Sequence, residues 1–212
     1  MDPDPVVDAI ARVREVHQTV VEAGRFKGYS GKARAAGGTL ALVAAAVLEV
    51  GVVPRTHAAH VVAWGLVCAA AMAVNYGALA WWLFFGHRGR RDLRRLAPSV
   101  DVLPPLFVGA VLTAALLAAG YHDALFGAWM LLYGLANLAS RRCLPKEIWP
   151  VGLFYLACGT ICLFTPSIRF LTAWPMGIVF FIGEWTGGLV LFFNRNPHAS
   201  FLDFFASRRI PS

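Results

Sequence analysis

Charge is what this sequence has least of: Asp, Glu, Lys and Arg make up 15% of its 212 residues, where an average soluble domain carries about 25%. So few ionic groups cannot wet the surface of a cytosolic enzyme, and they equally exclude a charge-rich disordered chain. Four cysteines are too few for a secreted disulfide scaffold. The amino terminus reads Met1-Asp2-Pro3-Asp4-Pro5 and lacks the basic stretch of a cleaved signal peptide, so the mature chain is expected to begin with this polar segment. Nucleotide-binding signatures are missing too: Gly28, Gly31 and Lys32 follow no strand and lack the P-loop spacing. No paired carboxylates, Ser–His pair or interfacial His cluster stands at usable spacing, so neither an enzyme nor a cofactor is expected.

Apolar residues dominate instead. They form 58% of the chain, with fifteen Phe and seven Trp, and the mean hydropathy is +0.60. That is more apolar surface than one small globule buries, so lipid is expected to act as solvent for much of it. The expected fold is an all-α polytopic membrane protein: six transmembrane helices in an antiparallel bundle, preceded by a cytoplasmic amphipathic helix. Hydropathy and breaks put the spans at about 39–53, 60–86, 103–120, 124–140, 148–165 and 170–193. The second contains 27 residues without a charge, about 40 Å of helix, and must tilt or extend beyond the hydrocarbon.

Orientation follows from the basic residues. With six spans, seventeen of the nineteen Lys and Arg fall on one side, and only Arg55 and Arg169 on the other, which puts both termini in the cytoplasm. The net charge of +7 is thereby a topology signal and not a nucleic-acid footprint. Three regions follow: 1–34, a cytoplasmic amphipathic helix and juxtamembrane segment; 35–193, the membrane domain; and 194–212, a cytoplasmic tail. Lys32 and Arg34 are expected at the headgroups. Val6, Ile10, Val13, His17, Val20 and Gly24 share one helical stripe, and a helix of nearly balanced charge suits docking on protein more than on anionic lipid. The expected associations are the lipid bilayer, a second copy of the chain and a cytoplasmic protein partner, in a bacterial inner membrane.

Polar groups inside the spans are the candidates for function, because a charge at a helix centre costs about 2.5 to 3.5 kcal/mol on insertion scales. Glu184 lies near the middle of the sixth span with no Lys or Arg assigned to any span to neutralise it. It is either a proton- or cation-handling carboxylate facing a cavity, or a neutral carboxyl cross-linking helices through Asn75, Asn137 or a tyrosine hydroxyl. Gly183 and Gly187 allow close helix approach, as do Ala69, Ala73 and Gly77 on the second span; facing strips would pair Glu184 with Asn75. Glu49 is near enough to the outer end of the first span to meet Arg55, and Asn137 is expected to link helices. His57, His60, His122 and Asp123 collect at the outer face, where they are candidates for metal binding or pH sensing. Two functions remain: a transporter or channel in which Glu184 and Asn75 line a polar path, or a non-transporting sensor or accessory subunit that docks a cytoplasmic partner.

Overall fold

A computed structural model describes residues 30–85, 103–139 and 145–205, with side chains omitted for 78–85 and 103. The amphipathic stripe from Val6 to Gly24 lies outside these residues. What is described is helical, with no strand. The long helices are α1 (Gly31–Glu49), α2 (His57–Phe85), α3 (Leu103–Ala118), α4 (Leu125–Ala139), α5 (Trp149–Phe164) and α6 (Trp174–Arg195), followed by a short α7 (Phe201–Phe205). Four segments are long and apolar enough to cross a membrane: Gly31–Glu49, His57–Gly77, Lys146–Phe164 and Trp174–Arg195. Within the described residues α3 and α4 have 16 and 15 residues, about 24 and 22 Å at 1.5 Å per residue, against about 30 Å of hydrocarbon.

Local chemistry sets the helix ends. Ser30 is extended and accepts a hydrogen bond from the Ala33 amide at 3.2 Å, so α1 starts at Gly31, eight residues before the expected span. The helix runs on through Gly37 and Gly38. At the end of α3, Gly120 takes φ +77°, and the Gly120 and Tyr121 amides bond back to Leu117 and Leu116, a Schellman closure that a side chain at Gly120 would strain. Pro150 and Pro175 sit in the first turns of α5 and α6, where no helical partner is lost.

Two antiparallel pairs form the centre, α1 with α6 and α4 with α5. Both rest on small residues spaced seven apart. In the second pair Gly127 faces Gly159 and Gly134 faces Gly152; a Cβ added at Gly127 or Gly134 would stand 2.8 Å from the opposing glycine's carbonyl oxygen. In the first pair Gly31 abuts Gly188, Gly38 abuts Glu184, and Ala45 abuts Gly177. Such contact lets the two backbones meet directly, gaining dispersion and Cα–H···O contacts. Helix α2 leans on α1 and α3 on α4, but α2 and α3 barely touch each other. An apolar core gathers at one end, where Leu48, Trp64, Leu125, Phe126, Met130 and Phe170 are buried. The polarity is inverted relative to a soluble protein: Arg34, His60, Asn137 and Glu184 are buried, while Leu66, Phe107, Phe164 and many other large apolar side chains are exposed. After α6 the chain doubles back, and Phe204 of α7 packs on Phe192 and Trp185.

Candidate functional site: a buried ion pair beside a cavity

Four helices send polar side chains to one point. Arg34 Nη2 donates to Glu184 Oε1 at 3.0 Å and to Asn137 Oδ1 at 2.7 Å. The Tyr133 and Tyr155 hydroxyls each donate to the same Glu184 oxygen at 3.0 Å. Asn137 Nδ2 in turn donates to the Tyr133 carbonyl at 2.9 Å. The side chains of Arg34 and Glu184 retain only 9% and 7% of their exposure, so this pair belongs to the buried regime, where each charge depends on the other. Arg34 comes from α1, Tyr133 and Asn137 from α4, Tyr155 from α5 and Glu184 from α6. Glycine makes room for them: Gly187 lies flat against the Arg34 guanidinium, where a Cβ would stand 2.6 Å from Nε, and Gly183 lies against the Tyr155 ring.

This geometry corrects three expectations. Glu184 is not a carboxylate without a cation, because α1 begins at Gly31 and its first turn carries Arg34 to within 3.0 Å of Glu184. Asn75 is not bonded to Glu184; its Nδ2 donates to the Ala71 carbonyl within its own helix at 3.0 Å. Ala69, Ala73 and Gly77 do not meet Gly183 and Gly187, since that strip of α2 faces outward while Gly183 lies against Tyr155 of α5 and Gly187 against Arg34 of α1. Asn137 does join the cluster. Arg34, Tyr133 and Tyr155 are the members that sequence reasoning did not name.

Beside the cluster, the gap between α2 and α3 forms a cavity of about 590 Å³. Its wall is mostly apolar, including Trp64, Met72, Leu106 and Phe180, but Asn75, Tyr133 and Glu184 also line it. Trp129 Nε1 donates to Thr113 Oγ1 at 2.8 Å across α4 and α3, which fixes a further part of the wall. No protein family, curated protein or solved structure matches the chain. What the site can do must come from this geometry.

The other singled-out residues lie at the far end, around the turns. Glu49 Oε2 meets Arg55 at 3.3 Å, and Glu49 Oε1 accepts the Ala173 amide at 2.7 Å. Asp123 Oδ1 accepts the Phe170 amide at 2.8 Å. Two carboxylates from different helical hairpins thus fasten the same 165–173 turn. His57 and His122 stack with ring centroids 4.0 Å apart. His60 is fully buried near Phe170, and neither ring nitrogen has a partner. Among the described residues no three His, Cys, Asp or Glu converge as metal ligands. Replacing Glu49 with alanine is expected to lower stability by about 1–3 kcal/mol, the usual cost of orphaning a buried amide. Glu49→Gln, which keeps an acceptor for Ala173, is expected to lose less; equal melting temperatures for the two variants would refute this role.

Proposed function

We propose that this chain is a six-span membrane protein, with both termini cytoplasmic, that binds a small lipophilic molecule entering from the bilayer. The observation that carries the reading is the cavity between α2 and α3: about 590 Å³, within the usual ligand-site range of about 300–1,000 Å³, apolar over most of its wall and polar at one place. Its support is architectural. The pairs α1–α6 and α4–α5 are locked by backbone contact and by the Arg34–Glu184 cluster, so α2 and α3 can stay apart without the bundle collapsing. Exposed residues such as Cys68 and Ala110 contribute to the wall, so the cavity's access is lateral, through the apolar flank of the bundle. The asymmetry of basic residues supports the orientation.

A proton- or cation-linked transporter draws less support. That reading depended on a buried carboxylate without a counter-charge, and Arg34 supplies one.

The test is photolabelling in native membranes with a long-chain alkane bearing a diazirine. Label is expected on wall residues such as Met72 and Ala114, and Ala110→Trp, which fills the cavity, should lower it several-fold. Label confined to outward residues such as Val62 and Phe107, and indifferent to Ala110→Trp, would overturn the proposal.

A further inference from the structure

Among the described residues, two oxygens in the cavity wall have no donor. Glu184 spends Oε1 on Arg34, Tyr133 and Tyr155, while Oε2 receives no hydrogen bond. Asn75 spends its amide nitrogen on Ala71, while Oδ1 receives none. Neither oxygen is among the sealed, unsatisfied atoms of the described residues, and both residues line the cavity. They flank the same turn of α1: a Cβ added at Gly37 would stand 3.7 Å from Asn75 Nδ2, and one at Gly38 2.8 Å from Glu184 Cβ. The donors nearby are either used or sealed away, Arg34 Nε and Trp64 Nε1 being buried without a partner. Tyr133 gives its proton to Glu184, Trp129 gives its indole N–H to Thr113, and Thr113 gives its own to the Gly109 carbonyl at 2.6 Å.

Resting on the lipophile-binding reading above, we infer that the molecule taken up carries a neutral hydrogen-bond donor, a hydroxyl head on an apolar body, whose single proton Asn75 Oδ1 accepts. A head without a donor would displace any water and leave Asn75 Oδ1 unpaired in apolar surroundings, which is costly. A cationic head is disfavoured by charge. Arg34 already balances Glu184, and an added ammonium would bring an uncompensated charge into the same low-dielectric place.

The experiment uses the full chain in lipid nanodiscs and three diazirine probes of one chain length: a primary alcohol, its methyl ether and the primary amine. Competition photolabelling, with labelled residues located by mass spectrometry, gives relative affinities. The alcohol is expected to label the α2 and α3 wall and to bind roughly tenfold more tightly than the ether, as one good hydrogen bond allows. Asn75→Leu, which leaves the Arg34–Glu184 pair in place, is expected to bring the alcohol close to the ether. Equal affinities of alcohol and ether in the unaltered protein, or a preference that survives Asn75→Leu, would overturn the inference. An amine that outcompetes the alcohol would overturn its neutrality. Cavity labelling by the ether keeps the lipophile-binding reading whichever head is preferred, whereas no cavity labelling by any probe removes that reading and this inference together.

Discussion

Arg34→Met is expected to destabilise the protein by about 3–5 kcal/mol, because it leaves the Glu184 carboxylate buried without its counter-charge. Glu184→Gln is expected to cost a similar amount by stranding the guanidinium. The double variant is expected to recover most of the loss. In it the glutamine amide oxygen takes the place of Oε1 and still accepts from Tyr133 and Tyr155, two hydroxyls that each stand 3.0 Å from that oxygen, while methionine fills the apolar volume of the arginine stem. Only Asn137 Oδ1 then loses its donor. The two changes should therefore be strongly non-additive, with a coupling energy above about 3 kcal/mol in a double-mutant cycle. Reversible unfolding in mixed micelles measures it. Single variants that each cost less than about 1 kcal/mol would match wetted surface pairs. That result would mean water reaches the cluster, and it would restore the case for proton or cation handling at Glu184.

Periodicity and hydropathy made most of the helices legible, because lipid-length apolar runs and basic loops are strong signals over many residues. Glu184 was legible as well, since any carboxylate in such a run needs a partner. Its partner was hidden by a boundary. The apolar run is counted from residue 39, which leaves Arg34 ahead of it at the headgroups, and only the Ser30 cap with the continuous helix beyond it brings Arg34 level with Glu184. Glycine-rich helix faces also carry no address. Gly183 and Gly187 signal that something approaches closely, yet what approaches is the Tyr155 ring of α5 at Gly183 and the Arg34 guanidinium of α1 at Gly187, not the Ala69–Ala73–Gly77 strip of α2. The tyrosines were legible only as a residue type. Tyr133 and Tyr155 come together because Gly134 and Gly152 let α4 and α5 touch, a long-range event that no local pattern encodes. At the other end, Glu49 and Arg55 are six residues apart, and a contact that local could be read directly.

Two valine substitutions separate a real helix interface from a sequence that only looks like one. Gly188→Val puts a Cβ 2.5 Å from the Gly31 carbonyl oxygen and 3.3 Å from Ala35. The obstacle is backbone, so no rotamer change relieves it, and α1 must move away from α6. Overpacking a tight core typically costs about 1–3 kcal/mol, and here the cost is expected at or above the top of that range. Arg34 lies one turn along α1 from Gly31, so the same movement pulls its guanidinium from Glu184, adding part of the ion-pair penalty. Gly77→Val changes the same residue type within a helix, but no atom lies within 4 Å of the added Cβ, so its effect is expected to stay within about 0.5 kcal/mol. Unfolding of the two variants under identical micelle conditions makes the comparison. Equal losses would show that helix propensity at glycine positions, and not backbone contact between α1 and α6, sets the cost. A large loss at Gly188 alone would establish that the contact aligning Arg34 with Glu184 is also what holds α1 in the bundle, so that the polar cluster and the small-residue interface form and fail together.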